Sequence, residues 1–296
     1  MNILLTGGTG LIGSALVKKW QKQHQLQVLS RTPQKVQALF GPGVTAVANV
    51  ADVDFNQLDA VVNLAGEPIV GKRWTAQQKQ RLCHSRWDLT AQLVNAINTA
   101  STRPGILISG SAIGFYGAQQ QQLISEEFND STNEFSHQLC QRWEEIASAV
   151  KSPTRLCILR TGIVLAKTGG ALQKMLPPFK LGLGGRIGTG QQYMSWIHID
   201  DMVALIDFLL QHPTLQGVFN ATAPHPVTNT EFSQTLAQLL HRPALLPMPA
   251  LVLQCLLGEA ADLLLTGQRV LPTNATKAGF SFQYDKLQPA LAELLN

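Results

Sequence analysis

The chain has 296 residues, 45% of them hydrophobic and 14% charged. It is long enough for one large domain, or for a large domain with a smaller one, and its composition excludes a mainly disordered protein. The formal net charge is only +4 and the basic residues are scattered, so the sequence gives no support to nucleic-acid binding.

Four cysteines lie far apart, with no CxxC or Cys/His pair at metal-ligand spacing. We therefore expect neither a disulfide framework nor a metal site. The first residues lack the basic and long apolar regions of a signal peptide. The most apolar later stretch, PALVLQCLLGEAADLLL, is interrupted by polar residues, so we expect no membrane span. Together these features predict a reducing, cytoplasmic compartment.

Up to about residue 165, short apolar runs rich in β-formers alternate with longer helical stretches, which is typical of a parallel sheet. The predicted strands are 2–5, 26–29, 44–48, 60–63, 105–109 and 155–160. The predicted helices are 11–23, 75–100 and 133–150. Right-handed crossovers between these elements predict an α/β fold with a Rossmann-type doubly wound parallel sheet.

Beyond residue 161 the pattern changes. The glycine-rich LGLGGRIGTG is followed by WIHIDDMVALIDFLLQ, a strand leading into a helix for which Asp200 or Asp201 suits the N-cap. The loop 180–190 contains enough glycine to move as a lid. From about residue 223, apolar helical patterns predict a smaller C-terminal α/β lobe packed on the first, because no long linker separates it. We therefore expect one domain over 1–222, with substrate-lobe elements from about 162, and a small domain over 223–296.

The opening segment TGGTGLIG follows the first predicted strand and begins the first predicted helix, which is the context that a dinucleotide-binding motif needs. Gly7 permits a tight turn, Gly10 lets backbone N–H groups approach a pyrophosphate, and Gly13 lets the helix pack closely on the strand. The predicted cofactor-binding residues of this turn are Thr6, Gly7, Gly10, Leu11, Ile12 and Gly13. The alternative is an ordinary glycine-rich turn.

The end of the second predicted strand indicates which dinucleotide binds. A carboxylate there would accept hydrogen bonds from both ribose hydroxyls and repel a 2′-phosphate, but this chain has Arg31, with Lys35 close behind. A guanidinium offers planar donors to a phosphate, which favours NADP over NAD. The alternative for Arg31 is a solvated loop charge. Asp52 could lie beside the adenine, although a turn role is equally compatible with its position.

The fourth predicted strand ends in NLAG, where the backbone and small side chains can line the ribose on the nicotinamide side, and Ala65 and Gly66 leave room for a cofactor. We predict that Leu64, Ala65 and Gly66 contact the cofactor. The alternative is a plain turn that closes a buried strand.

Five segments together resemble the extended short-chain dehydrogenase/reductase superfamily: TGGTGLIG, NLAG, SGSAIGFYG, LRTGIVL and WIHIDD. Further stretches, among them NLAGEPIVGKRWT, KQRLCHSRWDLT and GEAADLLLTGQRVLP, resemble its "epimerase family protein" branch, which is related to nucleotide-sugar epimerases and carries a C-terminal domain of unknown function. The similarity covers the whole chain. It implies a Rossmann-type fold and nucleotide binding, and it does not supply a substrate.

Most members of the wider group use a Tyr-x-x-x-Lys pair for proton transfer, in which the lysine lowers the pKa of the phenol. The three tyrosines here are followed four residues later by glutamine, isoleucine and glutamine, so the pair is missing. Alignment on Glu144 places Ser136 at the tyrosine position and Cys140 at the lysine position. Neither can replace its counterpart.

The resemblance implies that a hydroxyl near the end of the fifth strand hydrogen-bonds the substrate, and Ser109 and Ser111 are both candidates. We predict Ser111 and Tyr116 as the catalytic residues, with Tyr116 as a rearranged proton donor. The alternative for Tyr116 is a wall residue whose hydroxyl is already hydrogen-bonded.

Other polar residues fall near the predicted cleft. Arg160, at the end of the sixth predicted strand, could reach toward the cofactor or the sheet edge, and we include it among the cofactor-binding residues. Lys72 and Arg73 could meet an anionic substrate, although a solvated basic loop is the simpler interpretation. His198 is a candidate general base, with a structural hydrogen bond as the alternative.

Two functions remain open. The first is an NADP(H)-dependent oxidoreductase or epimerase that acts on a small carbonyl or sugar-type substrate without the tyrosine–lysine pair. The second is a catalytically inactive protein that senses NADP(H), for which loss of the pair is expected. We expect a small-molecule substrate, no nucleic-acid or membrane partner, and as one option a homodimer paired through the long helices of the sheet domain.

Overall fold

A seven-stranded parallel sheet lies at the centre of the protein, in a computed structural model that describes residues 1–296. Its strand order is β3-β2-β1-β4-β5-β7-β11. Its strands are β1 Asn2–Thr6, β2 Gln25–Leu29, β3 Thr45–Val47, β4 Ala60–Asn63, β5 Ile106–Ala112, β7 Arg155–Thr161 and β11 Gly217–Ala221. The predicted Rossmann-type α/β fold is confirmed, and the order reverses at β1, where such sheets bind ligands.

Three further strand pairs lie outside the central sheet. β8 (Ile163–Leu165) pairs with β10 (Trp196–His198), β9 (Tyr193–Met194) with β12 (Val227–Thr228), and β6 (Leu123–Ile124) with β13 (Arg269–Val270). Each pair joins segments that are distant in the chain. Two of these pairs, β9 with β12 and β6 with β13, join the C-terminal part of the protein to earlier segments.

Eleven helices surround these strands. They are α1 Leu11–Trp20, α2 Pro33–Phe40, α3 Ala76–Thr99, α4 Phe135–Ala147, α5 Gly170–Lys180, α6 Ile199–Gln211, α7 Asn229–Leu239, α8 Ala250–Leu257, α9 Asp262–Leu265, α10 Thr273–Lys277 and α11 Leu287–Leu295. No helix is both long and apolar enough to cross a membrane.

The main core lies on the face of the sheet covered by α1 and α6. Leu16, Val17 and Trp20 of α1 are completely buried against it, and the Trp20 indole donates to Asp207 of α6 at 3.1 Å. Removing three large apolar side chains from water contributes several kcal/mol, so α1 is held firmly behind the turn that precedes it. A separate cluster under α3, which includes Leu93 and Ile97, covers the opposite face.

A second core joins the chain after β7 to the C-terminal segment. It includes Trp196, Phe232 and Leu291, all completely buried. The C-terminal lobe is therefore packed on the substrate-lobe elements, as expected from the missing linker. The boundary at residue 222 stays a prediction.

Several local features differ from the predictions, and α1 and α4 each end three residues before their predicted ends. β5 continues to Ala112, three residues beyond its predicted end, because Ser111 and Ala112 pair with Arg160 and Thr161. The sequence analysis did not predict β11, which pairs with β7 at the sheet edge. The N-cap of α6 is His198 and not an aspartate, since its side chain accepts from the Asp200 amide.

Candidate functional site

The turn after β1 is shaped so that side chains would not fit in it. Gly7 has φ +69°, and a Cβ there would lie 2.6 Å from the Leu64 carbonyl oxygen. A Cβ at Gly13 would collide with the Gly7 carbonyl and lie 2.7 Å from Gly8 Cα. These contacts bring the start of α1 against the turn and against the end of β4. The positions predicted for the tight turn and the close helix packing therefore meet both requirements.

The N-terminus of α1 has unsatisfied donors. Gly10 is the N-cap and provides no side-chain hydrogen bond, and the first turn contains no acidic residue. The amides of Leu11, Ile12 and Gly13 therefore lack intrahelical acceptors and combine with the positive end of the helix dipole. A Cβ at Gly10 would meet only the Gly7 carbonyl at 3.1 Å, so glycine here leaves open space. This arrangement fits a pyrophosphate.

Thr6 connects this turn to the end of β4. Its hydroxyl donates to Asn63 Oδ1 at 2.6 Å and accepts from the Ala65 amide at 3.1 Å, and the residue is completely buried. Asn63 in turn donates to Thr90 of α3 at 2.9 Å. The Thr6 side chain therefore positions the NLAG turn.

Arg31 and Lys35 are both exposed and form no salt bridge. Arg31 follows β2 directly, and Lys35 lies in the first turn of α2. Across the cleft, Glu67 has a pKa below its usual value, chiefly through its hydrogen bond with Lys72, and Arg31 contributes to this lowering. Two cations without carboxylate partners at the end of β2 suit a 2′-phosphate. Asp52 lies in a short 3₁₀ turn and accepts from Asn49 at 3.0 Å, as the turn interpretation expected.

Arg86 of α3 is a cation of the cleft that the sequence analysis missed. Its guanidinium lies against the NLAG turn, since a Cβ on Gly66 would be 2.9 Å from Arg86 Cζ. Nη2 donates to the Glu67 carbonyl at 3.0 Å and Nη1 to the Leu82 carbonyl at 3.1 Å, whereas Nε has no protein acceptor. No carboxylate forms an ion pair with it.

Burial lowers the pKa of Arg86. Cys140 is buried, which raises its pKa to about 11, and it carries no charge at neutral pH. Cys140, which aligns with the lysine of the missing pair, is therefore neutral. The positive charge near it belongs to Arg86 of α3. Ser136 is also buried, with its Cβ 3.2 Å from the Cβ that an alanine at Gly114 would have.

The predicted catalytic residues lie together in a closed polar network. Ser111 donates to Glu144 Oε1 at 2.6 Å. Arg160 donates to the same carboxylate through Nε at 2.9 Å and through Nη2 at 2.8 Å, and through Nη1 to the Tyr116 hydroxyl at 3.0 Å. Tyr116 donates to Asn220 Oδ1 at 2.7 Å. All five residues are buried.

This network changes the interpretation of its members. Burial would lower the pKa of Arg160, but its hydrogen bonds and charge interaction with Glu144 outweigh burial and raise it. The guanidinium faces Glu144 and lies 3.4 Å from the centre of the Phe115 ring, so its present partners are protein groups, and the reach of Arg160 toward the cofactor stays a prediction. Burial also raises the pKa of Tyr116. A completely buried hydroxyl with both partners inside the protein favours the wall-residue alternative.

Three other candidates have partners in the protein or lie at the surface. Lys72 forms a salt bridge with Glu67 at 2.8 Å. Arg73 is exposed, near Gly258 of the C-terminal lobe. His198 is completely buried, bonded to Glu293 at 3.0 Å and stacked on Tyr284 with ring centres 3.9 Å apart, which favours its structural alternative.

The loop 180–190, expected to act as a lid, is bonded to the segment before α8. The Met248 amide donates to the Arg186 carbonyl at 2.8 Å, and the Gly188 amide donates to the Met248 carbonyl at 2.9 Å. Any movement of this loop must therefore carry the C-terminal lobe with it or break these two bonds.

Comparison with known proteins agrees with this geometry. Residues 3–221 match the family model "NAD dependent epimerase/dehydratase family", and residues 248–294 match "Domain of unknown function (DUF1731)". Epimerase family protein SDR39U1 homolog, chloroplastic, of Arabidopsis thaliana is 39% identical, over 100% of this chain and 87% of the relative. Epimerase family protein SDR39U1 of Homo sapiens is 36% identical, over 100% of both chains.

Solved structures show the same relationship. The crystal structure of human epimerase family protein SDR39U1 (isoform 2) with NADPH has a TM-score of 0.92 at 34% identity and covers 99% of each chain. MoeE5 in complex with UDP-glucose and NAD has a TM-score of 0.77 at 18% identity, over 100% of this chain and 98% of the other, a likeness of fold alone. The resemblance inferred from the sequence motifs is confirmed.

Proposed function

The chain belongs to the NAD dependent epimerase/dehydratase family, and we propose that it binds NADP(H) and uses it as an oxidoreductase or epimerase on a small carbonyl or sugar-type substrate. One observation carries the choice of NADP(H): the end of β2 presents an unpaired Arg31, with Lys35 beside it and no carboxylate between β2 and α2. The NADPH in the human structure at 34% identity supports the same choice.

The strand order indicates how a dinucleotide would lie across the sheet. β2 and β4 are on opposite sides of β1. With the pyrophosphate at the turn after β1, the phosphorylated ribose meets Arg31 on the β2 side, and the nicotinamide half extends over β4 and β5. Leu64, Ala65 and Gly66 then line that half. Arg86 lies beneath Gly66 and offers the unpaired Nε–H to an oxygen of the ligand.

When bound, the reduced cofactor would supply a hydride from the nicotinamide ring. The chain's own residues orient it: the glycine turn holds the pyrophosphate, and Arg31 holds the far ribose. The Tyr116 hydroxyl is not free to donate a proton to a ligand, because it is bonded to Arg160 and Asn220. Losing general-acid help costs roughly a hundredfold to ten-thousandfold in rate, so the proposed activity is slow unless a bound water donates the proton.

A second function is favoured by the same network. Ser111, Tyr116 and Arg160 are all engaged with other side chains, and Cys140 is neutral. A protein that binds NADP(H) without chemistry needs only the cofactor half of the site. The alternative proposal is therefore a catalytically inactive protein that senses NADP(H).

Cofactor binding is tested by titrating the protein with NADPH and with NADH while following nicotinamide fluorescence. We expect NADPH to bind at least about tenfold more tightly, the size of one charge-assisted contact to a phosphate. Arg142→Ala, which removes a cation from the exposed face of α4, is the matched control and should leave this ratio unchanged. Equal affinity for the two cofactors would remove the role of Arg31.

Catalysis is tested by screening aldehydes, ketones and nucleotide-sugars for substrate-dependent oxidation of NADPH. Turnover of any compound by wild type identifies an oxidoreductase, and NADPH binding without turnover across the panel favours the sensor. On any substrate found, Tyr116→Phe should keep turnover within a fewfold, because the Tyr116 hydroxyl does not face the cleft. Loss of turnover with intact NADPH binding would restore Tyr116 as the proton donor.

A further inference from the structure

Arg86 is a half-buried cation to which the protein offers only neutral partners. Nη1 donates to the Leu82 carbonyl at 3.1 Å and to the Ser85 hydroxyl at 3.3 Å, and Nη2 donates to the Glu67 carbonyl at 3.0 Å. The Glu67 carboxylate forms its salt bridge with Lys72 instead. A guanidinium stays charged at neutral pH, and a charge taken out of water is costly unless an opposite charge meets it. The environment of Arg86 therefore suits an anionic ligand.

The Arg86 guanidinium lies against the NLAG turn, close to the glycine turn after β1. A Cβ at Gly66 would be 2.9 Å from Arg86 Cζ, 3.1 Å from Nη2 and 3.2 Å from Nε. The amide nitrogen of the preceding residue, Ala65, would lie 3.0 Å from a Cβ at Gly7. One residue of the NLAG turn thus contacts the glycine turn, and the next residue contacts Arg86.

Nε is the atom of this guanidinium that is left for a ligand. It has no protein acceptor, and it is not one of the polar side-chain atoms that are buried without a partner. The three hydrogen bonds of Nη1 and Nη2 fix the direction of the group, and the Trp143 ring centre lies 5.4 Å from Cζ. A guanidinium held in this way is pre-organised to donate to a phosphate oxygen.

The charges around the two turns favour a phosphate of the dinucleotide as the anion. The glycine turn TGGTGLIG contains no charged side chain, so only backbone amides and the helix dipole of α1 face the proposed pyrophosphate there. Arg31 follows β2, on the other side of β1 from β4, and we assign it to the 2′-phosphate. Arg86 contacts the end of β4, over which the nicotinamide half extends. The phosphate of that half lies next to the glycine turn and on the β4 side.

We propose that Arg86 is a further cofactor-binding residue, whose guanidinium binds the phosphate on the nicotinamide side of NADP(H). This inference rests on the proposed binding of NADP(H). Two arginines from different elements then divide the cofactor between them: Arg31 binds the phosphate on the adenosine ribose, and Arg86 binds the phosphate next to the nicotinamide ribose.

The test uses the two halves of the cofactor as separate ligands in isothermal titration calorimetry. 2′,5′-ADP carries the adenosine half with its 2′-phosphate, and reduced nicotinamide mononucleotide carries the nicotinamide half with its phosphate. Arg86→Met should weaken the binding of NADPH and of the mononucleotide at least about tenfold, the size of one charge-assisted contact, and should leave 2′,5′-ADP within about threefold. Arg31→Ala should weaken 2′,5′-ADP and leave the mononucleotide unchanged.

The matched control is Arg81→Met, which removes an exposed charge from the same helix. It should leave the affinity for all three ligands within about threefold, because Arg81 makes no contact with the NLAG turn. A loss of the same size in this variant would show that the effect of Arg86 is one of overall charge, and this would overturn the proposal.

Gly66→Ala tests the contact while the charge stays in the protein. Its methyl group meets only the end of a flexible side chain, so the variant should fold, but the guanidinium must move away. It should lose most of the NADPH affinity that Arg86→Met loses. Adding Gly66→Ala to Arg86→Met should cost less than about threefold more, because the two changes remove the same contact. Fully additive losses would contradict the proposed contact.

The remaining outcomes separate this assignment from the proposed function. Wild type that binds no NADPH overturns both. Wild type that binds NADPH, with unchanged binding of NADPH and the mononucleotide in Arg86→Met, overturns the assignment alone and leaves Arg86 to an anion of the substrate. An equal loss of 2′,5′-ADP binding in Arg86→Met also overturns it, because Arg86 would then support the whole cleft as a structural residue.

Discussion

The ion pair between Glu144 and Arg160 should be the most sensitive polar contact in the protein. Both side chains are buried, and three hydrogen bonds hold them together with Ser111. Arg160→Met leaves Glu144 charged, buried and bonded only to Ser111. It also removes the donor to Tyr116 and the cation from the face of Phe115.

The magnitude follows from these losses. Breaking one partner of a buried pair costs about 3–5 kcal/mol, and the lost cation–π contact adds about 1–2 kcal/mol. Arg160→Met should therefore lower the free energy of unfolding by about 4 kcal/mol or more, a large part of the usual 5–15 kcal/mol. Adding Glu144→Leu should restore most of the loss, since it removes the unpaired charge.

Urea denaturation followed by tryptophan fluorescence measures these differences. Arg142→Met is the matched control. Arg142 Nη1 lies 3.1 Å from Glu145 Oε2 and both side chains are exposed, so the loss of this pair costs less than about 1 kcal/mol. A cost below about 1 kcal/mol for Arg160→Met would refute the reasoning, as would a double variant no more stable than the single one. NADPH affinity per folded molecule should be unchanged in all variants.

Gly10→Ala should fold with nearly wild-type stability, because the added Cβ meets only one carbonyl oxygen, at 3.1 Å. In fluorescence titration it should bind NADPH at least about tenfold more weakly, since the methyl group fills the space for the phosphate. Undiminished binding would place the pyrophosphate elsewhere. Alkylation at pH 8 followed by mass spectrometry should modify the exposed Cys255. Cys140 and Cys157 should stay unmodified in the folded protein, because burial raises the pKa of each thiol to about 11. Early modification of either buried thiol would contradict their packing. Burial raises the pKa of Glu126 in the folded protein above its value in the unfolded chain. The free energy of unfolding therefore decreases as the pH rises from the unfolded pKa through the folded pKa, because the buried carboxyl becomes charged. In urea titrations, Glu126→Gln should therefore be more stable than wild type at pH 7 and should lose this advantage toward pH 4. A difference in the free energy of unfolding that stays constant from pH 7 to pH 4 would contradict this prediction.

Local signals predicted the shape of the turn after β1 and of the NLAG turn, where we propose that the cofactor binds. Each of these signals depends on one short segment: the glycines of TGGTGLIG, the guanidinium after the second strand, and Ala65 and Gly66 of NLAG. The positions of these residues in the sequence are therefore sufficient to predict the shape of each turn. The alternation of strands and helices likewise predicted the parallel sheet, because each element's period reflects its own buried face.

The other half depends on contacts between distant segments. Arg86 acts at Gly66 only because α3 runs beneath the NLAG turn, and nothing in SRWDLT except a lone arginine on a helix indicates this. Arg160 and Glu144 look like ordinary charges in the sequence. Their pairing depends on the packing of α4 beside β5, which brings Glu144 to Arg160 of β7. β11 was missed because only Val218 and Phe219 of GVFNA are residues typical of a strand.

The central claim is that Arg31 selects the phosphorylated ribose of a dinucleotide held at the turn after β1. It is tested most directly by the ratio of the NADH and NADPH dissociation constants in wild type and in Arg31→Ala, measured by calorimetry. The account predicts a ratio of at least about ten in wild type that falls close to one in the variant, with NADH affinity unchanged. A ratio near one in wild type, or one that survives the substitution, would contradict it.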